Sequence, residues 1–129
     1  MILPRAVHDE ILAHAREDAP LECCGMVGHR DGVAVRAVRV PNEARSQSRF
    51  QMEGPEQLCA WQALEDGGLE VAIYHSHTVS APYPSETDKN FARLWPGTLW
   101  LIAGTQEPAH VRGYWIEDSG VREEELELG

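Results

Sequence analysis

Apolar and polar positions along this chain recur with two periods, and the switches between them outline its elements. Over residues 5 to 18, Val7, Ile11 and Leu12 recur at helical spacing and Ala15 continues the face, which predicts an amphipathic helix. Pro4 suits its first turn and Pro20 prevents continuation. Its two histidines, His8 and His14, are expected to face solvent. The next stretch, "CCGMVGHRDGVAVRAVRV", reads as two strands about Asp31-Gly32, a dipeptide suited to a tight hairpin turn. In "VAVRAVRV" the valines alternate with small or charged residues, the pattern of a half-buried strand.

The periodicity then lapses. "PNEARSQSRF" is polar and aperiodic, a loop, and "FQME" is a short extended piece. Residues 55 to 66 regain a helical character, with Pro55 and Glu56 at the start and Gly67-Gly68 at the stop. "LEVAIYHSH" is a buried strand that runs into two histidines. "TVSAPYP" is a loop, "SETDKNFARLW" a helix stopped by Pro96-Gly97, and "TLWLIAG" and "AHVRGYWIE" a closing pair of strands. His29 lies near a turn and His110 opens a strand, both structural positions. Trp61, Trp95, Trp100 and Trp115 are expected in the core or at its rim. This order predicts an α/β class fold: one α-β sandwich with a mixed β-sheet flanked by helices, not a doubly wound parallel sheet. There is no Gly-x-Gly-x-x-Gly and no phosphate-binding loop, which argues against a nucleotide-driven enzyme.

A chain of 129 residues can build one domain with its own core. Residues 1–117 are assigned to that domain and 118–129 to an acidic C-terminal tail, expected to be a solvated end. The net charge of −10 disfavours binding to nucleic acid phosphates. No apolar run reaches the ~20 residues of a membrane span, and the charged N-terminal stretch does not resemble a signal peptide, so a cytoplasmic setting is expected. Cys23, Cys24 and Cys59 contain no Cys-x-x-Cys pair and read as small buried thiols.

The candidate chemistry sits in "YHSHTVSAPYPSETD", residues 74–88. On a strand, His75 and His77 point to one face and Ser76 to the other. Two imidazoles side by side suit a metal ion, although a polar strand end would look the same. Ser85 and Asp88 have the spacing of a helix capping box, a structural feature in its own right. Together, His75, His77 and Asp88 make the two-imidazole, one-carboxylate set of a catalytic zinc that leaves room for water. Ser85 would add a hydroxyl beside the metal. A hydrolase would also need a base, and Glu22, framed by Pro20, Cys24, Gly25 and Gly28, suits that task better than Glu53, Glu56 or Glu86. The same ligand set can hold iron(II), so a redox enzyme is the competing metal reading. Phe50 and Arg49 end the polar loop, where they could form part of a peptide groove.

His-x-His, seven residues, then Ser-x-x-Asp resembles the signature of the JAMM (MPN+) zinc metallopeptidases, and "PLECCG" is similar to the family's glutamate-bearing segment. The resemblance implies a JAMM/MPN, cytidine-deaminase-like fold. It implies zinc (Zn2+) held by His75, His77 and Asp88, with Glu22 activating water and protonating the leaving amine, and Ser85 steadying the oxyanion. The implied substrate is a ubiquitin-like or sulfur-carrier protein with a Gly-Gly tail; a homodimer is left open. Thr78 stands where relatives often have proline, which bears on loop shape. The competing non-enzymatic reading is an interaction module that kept the fold.

Overall fold

A computed structural model describes all residues, 1–129. Its elements in chain order are β1 (Ile2–Leu3), α1 (Arg5–Asp18), β2 (Cys24–Arg30), β3 (Val33–Val40), α2 (Gly54–Asp66), β4 (Glu70–His77), α3 (Glu86–Ala92), β5 (Leu99–Gly104), β6 (His110–Glu117), β7 (Gly120–Glu124) and β8 (Glu127–Leu128). One eight-stranded sheet has the order β7-β6-β5-β4-β2-β3-β1-β8. β4 and β5 are parallel, with α3 in the connection between them; β2 is antiparallel to both β3 and β4. The mixed sheet flanked by helices is the expected architecture. No helix is long and apolar enough to cross a membrane.

The side-chain alternation of the central strands divides the interior in two. Val7, Ile11, Leu12 and Ala15 of α1 pack on one face against Cys23, Val27, Ala72, Tyr74, Leu101 and Ala103. The other face joins Met26, Val40, Ile73 and Trp100 to Ala60 and Leu64 of α2 and Ala92 of α3. By the same alternation, His75 and His77 belong with Ile73 on the α2/α3 face, while Ser76 follows Ala72 and Tyr74 onto the α1 face. The Asp31-Gly32 hairpin is present: both residues have positive φ, 53° and 77°, and Arg30 pairs with Val33 across the turn.

Three expectations are corrected. His14 is buried, not solvent-facing: Nδ1 lies 2.6 Å from the Tyr74 hydroxyl and Nε2 lies 3.2 Å from Asp18 Oδ2. Its place follows from spacing, since Val7, Ile11 and His14 fall on one helical face. Cys59 is exposed, because α2 turns Ala60 and Leu64 inward, whereas Cys23 and Cys24 are buried as expected. The acidic C-terminal residues are not a free end. β7 extends the sheet beside β6, and β8 pairs in parallel with β1. The Met1 ammonium donates to Glu124 Oε2 at 3.0 Å, and Trp115 Nε1 donates to Oε1 at 2.8 Å, so backbone pairing and a held carboxylate override the polar composition.

Candidate functional site

The site forms where β4 ends and α3 begins. His75 and His77 are next-but-one neighbours on β4, and their Nε2 atoms are 3.1 Å apart. Asp88 Oδ2 lies 3.1 Å from His75 Nε2 and 3.0 Å from His77 Nε2. All three side chains are at most 3% exposed. Asp88 reaches this point from the first turn of α3, which Ser85 caps: Ser85 Oγ accepts from the Asp88 N–H at 3.1 Å, and Asp88 Oδ2 accepts from the Ser85 N–H at 3.0 Å. The Ser-x-x-Asp spacing is therefore a capping box, and the box fixes the carboxylate that faces the histidines.

The fit to a metal ion can be judged from the donor atoms. The Ala81 carbonyl lies 2.9 Å from His77 Nδ1 and can only accept, so Nδ1 carries a proton and Nε2 can turn a lone pair to the cluster. Three electron-pair donors then converge, which only a proton or a cation makes favourable. Donors ~2.0–2.1 Å from a tetrahedral zinc stand ~3.3 Å apart, close to the spacing found here. The three residues thus fit a small divalent ion bound through two imidazoles and one carboxylate.

The surroundings hold these groups firmly. Phe50 stacks on the His75 ring with centroids 4.5 Å apart, and Trp100 meets the same ring edge-on at 5.9 Å. The loop that supplies Ala81 is fixed from β5 and β6: the Tyr114 hydroxyl donates to Pro82 O at 2.8 Å, and the Pro82 ring packs where a Cβ on Gly104 would lie. Burial would raise the Asp88 carboxyl, but the two histidines and the Ser85 N–H hold it well below the usual carboxylate range. Burial lowers His75 against the pull of Asp88, whereas for His77 the Asp88 and Ala81 hydrogen bonds outweigh burial and raise it.

Glu22 lies just ahead of β2 and is 3% exposed. Its Oε1 is buried without a hydrogen-bond partner. Burial pushes its carboxyl up to about 8, with His77 opposing and Asp88 adding to the shift. A buried carboxyl whose charged form is disfavoured, coupled to His77 and Asp88, suits a group that takes and returns a proton. The weaker base candidates do not enter the cluster: Glu56 and Glu86 are exposed and Glu53 is the residue before α2.

The five sequence candidates thus divide into a buried trio whose donor atoms converge (His75, His77, Asp88), a buried carboxyl coupled to it (Glu22) and a capping hydroxyl (Ser85). Phe50 is 4% exposed and serves as the floor under His75, where position alone suggested a peptide groove. It also lines a cavity of about 450 Å³ with Met52, Phe91, Trp95 and Trp100; Arg49 does not. No local sequence pattern marks the Ala81 carbonyl or Phe50 as partners of the histidines.

Comparison with known proteins agrees with this geometry. Residues 4–117 match the family described as prokaryotic homologs of the JAB domain. The CysO-cysteine peptidase of Mycobacterium tuberculosis is 36% identical over 123 residues, 92% of this chain and 84% of that protein. A desampylase of Haloferax volcanii is 37% identical over 102 residues, 73% of each chain. The solution structure of a Desulfitobacterium hafniense protein, 34% identical, superposes with a TM-score of 0.87 over 100% of this chain and 93% of its own. A JAB1/MPN domain protein from Archaeoglobus fulgidus shares the fold at 21% identity, with a TM-score of 0.66 over 99% and 98% of the two chains.

Proposed function

This chain belongs to the prokaryotic homologs of the JAB domain, and on that footing we propose that it is a JAMM-type isopeptidase that hydrolyses the amide bond following the C-terminal tail of a ubiquitin-like or sulfur-carrier protein. The observation that carries the reading is the convergence of three buried donor atoms, together with a buried Glu22 carboxyl that is coupled electrostatically to His77 and Asp88. Two relatives, named a CysO-cysteine peptidase and a desampylase, support the substrate class. The tail is expected to end in Gly-Gly, whose lack of side chains would let it enter a site bordered by buried residues.

His75, His77 and Asp88 would hold the ion, which we take to be zinc. When bound, zinc would lower the pKa of a coordinated water toward ~7 and polarise the scissile carbonyl. The remaining chemistry falls to the chain. Glu22 accepts a proton from the attacking water at its carboxylate and delivers it to the leaving amine. Ser85 Oγ–H donates to the oxygen that gains charge as the carbonyl becomes tetrahedral. Phe50 and Trp100 exclude water from the back of His75 and keep its ring from turning. The capping box keeps Asp88 aimed at the histidines.

The test is a cleavage screen. Zinc-loaded protein would be incubated with the ubiquitin-like proteins of its own genome, each extended at the C-terminus by an amino acid or joined to a lysine, and product masses read. Cleavage after the tail is expected; cleavage of none by fully loaded protein would refute the reading and favour an interaction module. Elemental analysis after expression in mixed metals separates zinc from iron.

A further inference from the structure

Glu22 is outside the sheet ladder, yet its whole segment is pinned. Its N–H donates to Ser46 O at 2.8 Å and its carbonyl accepts from Asn42 Nδ2 at 2.9 Å. Asn42 itself is held by the loop it organises: Oδ1 accepts from the Ala44 and Gln51 N–H groups at 3.0 and 2.9 Å, and Nδ2 also donates to Arg49 O at 3.2 Å. The next residue, Cys23, exchanges two bonds with Ser76, donating its N–H to Ser76 Oγ at 2.8 Å and accepting from the Ser76 N–H at 3.1 Å. Two residues before Glu22, the Pro20 carbonyl accepts from Thr78 Oγ1 at 2.7 Å.

Ser76 and Thr78 alternate with His75 and His77 along the chain. One side of this stretch carries two of the metal-binding groups, and the hydroxyls of the intervening residues grip the segment that carries the buried carboxyl. We propose that Ser76, Thr78 and Asn42 are positioning residues that clamp residues 20–23 and set the reach of Glu22 toward the His75–His77–Asp88 cluster. This rests on Glu22 being the base. It assigns a task to Thr78: the hydroxyl supplies a tether that proline could not. Two hydroxyl bonds and one amide bond fix the main chain on either side of Glu22, so losing one allows the carboxylate to shift. A misplacement of ~1 Å can cost ~10²-fold in rate.

The test compares Thr78→Val, Thr78→Ser, Ser76→Ala and Ser76→Thr with Glu22→Gln. The substrate is a ubiquitin-like carrier fused through its tail to one amino acid. Thr78→Val and Ser76→Ala are expected to lower kcat at least ~10-fold with KM within ~2-fold and metal content unchanged. Thr78→Ser and Ser76→Thr, which keep the hydroxyl, restore it. Independently of turnover, amide hydrogen exchange at Glu22 and Cys23 should quicken in the two hydroxyl-less variants. Thr78 is at the surface, so Thr78→Val tests the clamp even where Ser76→Ala fails to fold. Unchanged kcat and exchange in Thr78→Val, with Glu22→Gln inactive, would overturn the clamp while leaving the base in place. Full activity of Glu22→Gln would overturn the base and the clamp with it.

Discussion

Ser85 is given two tasks, and they can be separated. Its Oγ accepts the Asp88 N–H at 3.1 Å as a helix cap, and in the proposed mechanism its hydroxyl donates to the oxyanion. Removing a serine cap costs about 1 kcal/mol when alanine replaces it but only a few tenths when glycine does. Removing one oxyanion donor costs ~10²–10³ in kcat, ~2.7–4 kcal/mol. Ser85→Ala should therefore lower Tm by about 3–5 °C and kcat by ~10²-fold or more. Ser85→Gly should leave Tm within about 2 °C of the parent and lower kcat as much. Ser85→Thr keeps both properties. Thermal unfolding, metal content and steady-state kinetics on the same samples give the three readouts. A Ser85→Gly protein with kcat within ~3-fold of the parent would refute the oxyanion role and leave Ser85 as a cap alone.

His77→Ala and Asp88→Ala should each lose bound metal, because each removes one of three converging donors; normal metal content in both, by elemental analysis, would refute the ligand set. Gly25→Ala should destabilise by about 3 kcal/mol or more, since the new Cβ would overlap a fully buried Tyr74 ring whose hydroxyl is held by His14; denaturant unfolding checks it. His14 is pushed below its ordinary value by burial, with Asp18 opposing. The unfolded chain therefore binds the proton more tightly, and stability contributed by neutral His14 is present above pH ~6.5 and lost as pH falls toward the folded value. Urea unfolding at pH 7.5 and 5 should show a smaller acid-induced loss in His14→Gln than in the parent; equal losses would refute the assignment.

The parts of the molecule legible in sequence are those whose cause is local. Asp31-Gly32 marks its hairpin because the turn demands positive φ. His75 and His77 share a face because a strand alternates, and Ser85 with Asp88 spells a capping box. Glu22 was legible through its constrained neighbours, though its burial was not. The hidden parts depend on distant chain. β1 and β8 are two residues each: β1 is held between β3 and β8, and β8 pairs with β1. β7 is rich in glutamate and is ordered by β6, the N-terminus and Trp115. Asn42, Ser76 and Thr78 bond to backbone atoms 20, 53 and 58 residues away, and a backbone partner leaves no trace in side-chain pattern. The burial of His14 is legible too, since helical spacing places it with Val7 and Ile11.

The most direct test of the central claim is hydrolysis of a carrier-tail conjugate in ¹⁸O-enriched water by equally metal-loaded parent and Glu22→Gln proteins, followed by intact-mass analysis. The parent should release the carrier with one heavy oxygen at its new C-terminal carboxylate, and Glu22→Gln should release almost none. Release without heavy oxygen, or equal release by both proteins, would contradict hydrolysis driven by Glu22 at this site.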